Sequence, residues 1–186
     1  MSDISKNNTA FSKAFKCPIS DGVLSWWRDH CLWKGTLPSM LDLDVFKFPK
    51  SLPYLAVFSY DFQKNDYVCR LAGEMVNVSH PTVLKNAMLS EVYEKELAHK
   101  IRTDWDLTFK AQSALCVTAY LDHPIEELYS WRFILPLYDE AKNGKVILSL
   151  SVYDYDAAYY HDKYLKKKYH VYELSADDLE KKNNIN

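Results

Sequence analysis

The sequence contains few glycines, and the ones it has are far apart. Only four occur in 186 residues: Gly22, Gly35, Gly73 and Gly144. Phosphate-binding loops and dinucleotide-binding fingerprints need closely spaced glycines, because the backbone must approach the phosphate with no side chain in between. The spacing therefore argues against nucleotide binding through a loop of this kind.

Metal-binding, redox and catalytic motifs are also missing. The cysteines Cys17, Cys31, Cys69 and Cys116 form no CxxC pair, and no histidine pair lies beside them at zinc-ligand spacing. We expect reduced, buried thiols and no metal site. No GxSxG, HExxH or Cys/His arrangement occurs either, so we expect no enzymatic activity.

A broad positive charge and a long apolar run are both absent. The formal net charge is −2, and the single basic cluster, at 166–168, is typical of a solvated helix face. Residues 1–15 are polar and lack the apolar segment of a signal peptide, and no apolar run is long enough to span a membrane. We therefore expect a cytoplasmic protein that contacts neither nucleic acid nor a membrane.

The chain is rich in apolar and aromatic side chains. Apolar residues make up 48% and aromatic residues 15%, which is enough for one domain with a sizeable core. We expect a flexible N-terminus at 1–18, a single domain at 19–156, and a C-terminal helix with a charged tail at 157–186. Within the domain, 19–53 is expected to form a helix and an arm, and 54–153 the core.

Periodic apolar positions predict an α+β domain. Two apolar runs separated by a polar turn predict a hairpin, and two-residue alternation predicts three further strands. The alternation indicates an antiparallel sheet with a single dominant buried face. Apolar residues at every fourth position indicate a long helix that crosses this sheet diagonally. The predicted elements are a first helix at 23–34, capped by Ser20 or Asp21 and ended by Gly35; strands at 54–60 and 67–73; short helices; the long helix at 89–109; strands at 115–121, 129–137 and 146–152; and a terminal helix at 157–168.

Short phrases along the chain resemble those of a bacterial family of stand-alone PAS-like proteins. The phrases are WWRDH around Trp27 and Arg28, GTLPS at 35–39, DLD at 42–44, LPYL at 52–55, RLAG at 70–73 and RFILPL at 132–137. The resemblance covers about 24–152. It implies a PAS-like five-stranded antiparallel sheet with a long diagonal helix, an N-terminal helix and arm, and a sensory role without a reaction.

Five charged residues of these phrases are candidate polar site residues: Arg28, Asp42, Asp44, Arg70 and Arg132. Arg28 with Asp42 or Asp44 can form a buried ion pair that holds the arm to the first helix. Arg70 or Arg132 can serve the same purpose from the sheet. The alternative is recognition of a ligand carboxylate, because a planar guanidinium suits both roles.

Between the long helix and the sheet we expect a small, mostly apolar ligand cavity. Its expected lining is Leu97, Ile101, Trp105, Val117, Ala119, Trp131, Phe133, Leu148 and Leu150. The alternative is that these large side chains fill the space completely, because protein cores pack densely.

We expect no cofactor in this cavity. Haem would need an axial ligand from the helical region, where the histidines are His80 and His99, and His99 falls on the polar face of the long helix. Flavin photochemistry in such domains needs a helical cysteine, whereas Cys69 and Cys116 lie on predicted strands. The acidic group after the last strand is typical of a solvated turn rather than a metal site; it comprises Asp154, Asp156, His161 and Asp162.

The expected function is a non-catalytic sensory or regulatory module that binds a small, mostly apolar ligand and signals through a homodimer or a signalling protein partner. The alternative is a ligand-free interaction module with a filled core. Trp26, Trp27 and Trp33 favour self-association, because one helix cannot bury all three against one sheet face. An enzyme would instead need convergent polar residues inside the cavity, which the expected lining lacks.

Overall fold

The computed structural model describes residues 17–122, 127–140, 144–154 and 170–175, which form an α+β fold. In these ranges the helices are α1 (Asp21–Lys34), α2 (Glu74–Val78), α3 (Leu89–Val92) and α4 (Lys95–Ala111). The strands are β1 (Leu55–Asp61), β2 (Asp66–Ala72), β3 (Ala114–Asp122), β4 (Glu127–Asp139), β5 (Gly144–Asp154) and β6 (His170–Leu174).

The strands form one sheet in the order β2-β1-β5-β4-β3-β6, in which every pair of neighbours is antiparallel. The five predicted strands are confirmed, and each ends within two residues of the predicted limits. A sixth strand, β6, pairs with β3, so the prediction of a helix and charged tail is wrong at 170–174. The predicted helix at 157–168 and the residues 1–16 of the predicted flexible N-terminus lie outside the described residues.

The opposite edge of the sheet, at β2, is partly covered by the segment 86–88. Cys69 donates its backbone N–H to Ala87 O at 2.9 Å, and Asn86 donates its own to Cys69 O at 2.7 Å. Val68 and Met88 form an isolated antiparallel bridge beside these bonds. The backbone N–H and C=O of Cys69 on this side of β2 are therefore already paired within the chain.

Helix α1 begins and ends close to where the sequence predicts. It follows Ser20, whose hydroxyl donates to Cys17 O at 3.2 Å and does not cap the helix through its side chain. Gly35 ends it with a φ of 66°, a left-handed conformation that glycine adopts without strain. The buried Trp27 donates its indole N–H to Pro136 O at 3.0 Å and so attaches α1 to β4.

The predicted long helix at 89–109 is two helices. The backbone is extended at Tyr93 (φ −120°, ψ 150°) and Glu94 (φ −51°, ψ 144°), so α3 ends at Val92 and α4 begins at Lys95. The apolar spacing continues through the break because each helix buries its own residues, Leu89 on α3 and Ile101 on α4 among them. Tyr93 therefore lies in the extended segment between the two helices and belongs to neither.

Both faces of the sheet are buried, which corrects the expectation of one dominant buried face. The consecutive β4 residues Phe133, Ile134 and Leu135 are all 1% exposed or less, although neighbouring side chains of a strand point to opposite faces. Helices α2 and α4 lie on the face that carries Ile134. Because α2 and α4 lie on the Ile134 face, we infer that α1 and the arm that follows it cover the face that carries Phe133 and Leu135.

Gly73 lies directly against the backbone of Leu52 and Pro53. A Cβ added there would lie 2.3 Å from the backbone oxygen of Pro53, a contact that the backbone cannot relieve without moving. A Cβ at Gly22 would instead meet the side chain of Phe48 at 3.2 Å.

We predict that Gly73→Ala lowers the free energy of unfolding by about 1–3 kcal/mol, as overpacking usually does. Gly22→Ala is the matched control, which should be neutral or stabilising because alanine is the better helix former. Urea denaturation of both variants measures the difference. Equal effects of the two substitutions would contradict the close approach at Gly73.

Candidate functional site

A cavity of about 30 Å³ lies between helices α2 and α4 and the face of the sheet that carries Ile134. A water molecule needs about 10–15 Å³ of such space, so the cavity has room for about two or three waters. The described residues that line it are Ala56, Phe58, Val76, His80, Leu84, Tyr93, Ile101, Trp105, Val117, Arg132, Ile134, Ser149 and Ser151.

The floor of the cavity consists of two cross-strand rows. They are Val117–Arg132–Ser151, on β3, β4 and β5, and Ile134–Ser149–Ala56, on β4, β5 and β1. Directly opposite residues in an antiparallel pair share a face, so the register fixes which side chains meet here. An arginine and two serines therefore stand side by side among apolar neighbours.

The roof comes from the helices and from the segments between them. Ile101 and Trp105 of α4 contact the cavity, and the Trp105 ring packs edge-on against the Phe58 ring of β1 at a centroid distance of 5.0 Å. Tyr93, at the break between α3 and α4, and His80, just after α2, supply polar atoms. The roof is thus apolar over β1 and polar over β4.

Three of the expected lining residues do line the cavity: Ile101, Trp105 and Val117. Leu97 lies on the solvent side of α4 and is 39% exposed. The side chain of Ala119 lies outside the part of the chain that the structure describes.

The expected placement of Trp131, Phe133, Leu148 and Leu150 at the cavity is corrected. These four residues alternate along β4 and β5 with the residues that line it, so their side chains point to the other face. Val117 pairs with Arg132, so neither Trp131 nor Phe133 can share its face. Because both faces are buried, the apolar alternation did not show which one faces α4.

A chain of hydrogen bonds crosses the polar end of the cavity. Arg132 donates from Nε to Ser151 Oγ at 3.1 Å and from a terminal nitrogen to the Tyr93 hydroxyl at 3.4 Å. Tyr93 lies 3.0 Å from His80 Nε2, and His80 Nδ1 lies 2.8 Å from Val76 O. A carbonyl can only accept, so Nδ1 carries the proton and Nε2 of the neutral ring accepts from Tyr93.

This arrangement favours the neutral form of His80. Burial lowers the pKa of His80 from its ordinary value, and the nearby charge of Arg132 lowers this pKa further. The bond to Val76 O acts in the opposite direction and is the smaller effect. Burial and the charge of Arg132 both favour the uncharged imidazole, in agreement with the hydrogen bonds that its two nitrogens make.

The expected ion pair between Arg28 and the arm is wrong in its partners. Arg28 pairs with its neighbour Asp29 at 2.6 Å. Asp42 of the arm pairs with Lys34 of α1 at 3.3 Å and accepts the backbone N–H of Ser39 at 3.0 Å. The bond from Ser39 is the main reason that the pKa of Asp42 is lowered. The arm is thus held to α1 by a half-exposed pair rather than by Arg28.

The other three charged candidates, Asp44, Arg70 and Arg132, lie in different parts of the fold. Asp44 accepts the backbone N–H of Phe46 at 3.2 Å and caps a short turn. Arg70 is exposed on β2 and forms no ion pair with the residues that the structure describes. Arg132 is the single member of this group that reaches the cavity.

Among the described residues, the candidate metal or cofactor ligands lie apart from the cavity, except for His80. Within the described ranges, no group of three or more His, Cys, Asp or Glu side chains could hold a metal ion. His99 is exposed, and Cys69 and Cys116 are buried on strands, where the sequence predicts them. Asp154 ends β5, and the other members of the acidic group lie outside the described residues.

Comparison with known proteins finds no matching family model, no matching curated protein and no matching solved structure. In the described part of the chain, none of the helices has the length and apolar character that crossing a membrane requires.

Four polar residues of the site are absent from the lining that the sequence predicts: His80, Tyr93, Ser149 and Ser151. The two serines carried a usable signal, because they alternate with Leu148 and Leu150 in an apolar strand. Polar side chains on a strand with two buried faces must meet a partner or a cavity. From the sequence, His80 is a candidate only as a haem ligand. The break between α3 and α4 at Tyr93 cannot be seen in the sequence, because the four-residue apolar spacing continues across it.

We predict that His80 makes the protein less stable as the pH falls. Its pKa in the folded protein lies below the ordinary value of about 6.5, so in this range the unfolded chain binds more protons. The contribution is absent above about pH 7 and lowers stability progressively as the pH drops below 6.5.

Denaturation of His80→Gln between pH 8 and pH 5 tests this prediction. The stability advantage of the wild type over the variant should shrink as the pH falls. His99→Gln, on the exposed side of α4, is the control and should follow the wild type throughout. A constant gap between wild type and His80→Gln would show that His80 does not titrate differently on unfolding.

Proposed function

We propose that this protein is a non-catalytic sensory module of the PAS type, which holds a small molecule in the cavity and passes the signal on by protein contact. The observation that carries the proposal is the cavity between α4 and the antiparallel sheet. The order of elements, two strands, short helices, a long helix and three strands, is the order expected of a PAS domain. The phrases described above support the same class.

The lining changes the ligand that we propose. A mostly apolar molecule was expected, but the lining includes an arginine, a histidine, a tyrosine and two serines. Buried polar groups favour an occupant that can hydrogen-bond with them. We therefore propose a small polar occupant rather than a mostly apolar one.

Strand β4 offers a path from the cavity to the outside of the domain. Arg132 faces the cavity, and Pro136 of the same strand accepts the indole N–H of Trp27 on α1. A molecule that shifts Arg132 would therefore disturb the strand to which α1 is attached. This path supports α1 as the output element of the module.

The convergent polar residues also bear on the enzyme alternative. Both ring nitrogens of His80 are occupied by Val76 O and Tyr93, and none of the described lining residues carries a carboxylate. A general base must be able to reach a proton of the substrate. The polar groups of this site therefore support recognition better than reaction.

We predict that filling the cavity abolishes ligand binding. Ala56 is 1% exposed and lines the cavity, so Ala56→Leu places a larger side chain in the space that the ligand would occupy. Ala111→Leu, at the exposed end of α4, is the matched control. Native mass spectrometry, together with a thermal-shift screen of small metabolites, should give binding to wild type and control but not to Ala56→Leu. If no compound binds to a wild-type protein that is shown to be folded, the sensory proposal fails.

A specific observation favours the interaction module as the second candidate. Trp33, Leu41 and Phe46, on α1 and the arm, are each more than 80% exposed, whereas Trp27 is fully buried. Large apolar side chains this exposed are typical of surfaces that bind another protein. On this reading α1 and the arm are the contact surface, whether or not the cavity is filled.

We predict that Trp33→Lys converts a wild-type dimer to a monomer, because a charge would be buried in the contact. Leu107→Lys, at a position of α4 that is 51% exposed, is the control and should leave the dimer intact. Multi-angle light scattering across a concentration series measures both. A monomeric wild type at every concentration would contradict self-association through this surface.

A further inference from the structure

The segment 74–85, which consists of α2 and the turn that follows it, forms part of the roof of the cavity. Val76, His80 and Leu84 line the cavity from this segment. Val76 is 2% exposed and Leu84 is 1% exposed, so both close the cavity against solvent on this side. A ligand that enters here must therefore move the segment, which we call the lid.

Both ends of the lid are fixed to the sheet, whereas its middle has little regular structure. Gly73 donates its backbone N–H to Leu55 O at 2.8 Å, and Asn86 donates its own to Cys69 O at 2.7 Å. Between these points α2 has five residues, and 79–85 belongs to neither a helix nor a strand. Such segments open locally at a lower free energy than the core does. The lid can therefore open while the sheet stays folded.

Two neighbouring side chains attach the middle of the lid to the rest of the fold. Ser79 donates its hydroxyl proton to Val76 O at 2.8 Å, so the Tyr153 hydroxyl of β5 must donate to Ser79 Oγ. His80 donates from Nδ1 to the same Val76 O and accepts from the Tyr93 hydroxyl at Nε2. All of these protons therefore point in one direction, towards Val76 O.

His80 is the member of this cluster that can gain a proton near neutral pH. Among the described residues, the titratable and charged groups that face it are Tyr93 between α3 and α4, Arg132 on β4 and, through Ser79, Tyr153 on β5. Tyrosine and arginine side chains keep their protons up to about pH 10. A second proton on the His80 ring would place a donor at Nε2, opposite the hydroxyl proton of Tyr93.

We propose that protonation of His80 releases the lid, so that the cavity opens in acid and closes near neutral pH. A protonated ring cannot accept from Tyr93, and a charged ring gains more from water than a neutral one does. Both effects favour a conformation in which His80 leaves the roof. The lowered pKa of His80 agrees with this geometry, because it means that the closed structure disfavours the charged ring. The inference goes beyond the proposed function, since the lid moves with or without a ligand.

The direct test is amide hydrogen exchange of the ligand-free protein between about pH 7 and pH 5, followed by mass spectrometry. Protection factors, which compare each rate with the intrinsic rate at the same pH, remove the pH dependence of the exchange chemistry itself. One proton is linked to opening, so the opening constant rises by at most about tenfold per pH unit. We expect the protection of 74–85 to fall about tenfold over this range and to stay below that of β4 and β5 throughout.

Three variants assign the response to His80. His80→Gln carries an amide oxygen that can accept from Tyr93 but takes up no proton, so its lid protection should be the same at both ends of the pH range. His99→Gln, on the exposed side of α4, is the matched control and should respond as the wild type does. Tyr93→Phe removes the bond to Nε2 and should lower the protection of the lid already at pH 7.

Histidine NMR gives a second readout that needs no substitution at the lid. The ring-proton resonance that is missing from the spectrum of His80→Gln belongs to His80. We expect it to titrate below the ordinary value of about 6.5, over the same pH range in which the lid loses protection.

Three results would overturn the acid-opened lid. They are an equal pH response of wild type and His80→Gln, equal protection of the lid and of β4 and β5, and a His80 resonance that titrates where lid protection does not change. None of them touches the sensory proposal, which depends on a compound that binds wild type and not Ala56→Leu. If the lid responds as expected and no compound binds, the lid stands and the sensory proposal fails.

Discussion

The register between β3, β4 and β5 is the constraint on which the rest of the site depends. It places Val117, Arg132 and Ser151 in one row and Ser149 in the next, so that polar side chains gather under α4. A shift of one residue along any of these strands would send its side chains to the opposite face. The same register places Phe133 and Leu150 side by side on the far face, where they form the apolar half of the core.

A half-buried guanidinium is tolerated at this end of the cavity because it donates to two hydroxyl groups. Arg132 shares the cavity end with Ser151 and Tyr93, and Tyr93 in turn is oriented by His80. Each link fixes the donor or acceptor role of the next, which makes the cluster sensitive to a single protonation event. A neutral His80 fits this pattern, whereas a protonated one would oppose both Tyr93 and the charge of Arg132.

The sequence predicts the architecture better than it predicts the site. Alternation identified the last three strands, and two apolar runs around a polar turn identified the first two, all to within two residues. It could not choose between the faces of β4 and β5, since α1 and α4 bury both, and so Leu148 and Leu150 were assigned to the cavity in place of Ser149 and Ser151. The break at Tyr93 could not be predicted for a similar reason, because the apolar spacing continues across it although the backbone there is extended. Strand β6 is short and mixed in character, so tertiary pairing with β3 decides its conformation.

The two ends of the sheet limit how this chain can associate. At one end β3 is covered by the five-residue β6, and at the other the segment 86–88 pairs with Val68 and Cys69 in the middle of β2. Extended peptides and aggregating chains usually attach by extending a sheet along an unpaired edge. Because little unpaired backbone is available for strand addition at either edge, two molecules must associate mainly through side-chain contacts. Among the described residues, the exposed apolar side chains Trp33, Leu41 and Phe46 on α1 and the arm then form the main surface for such contacts.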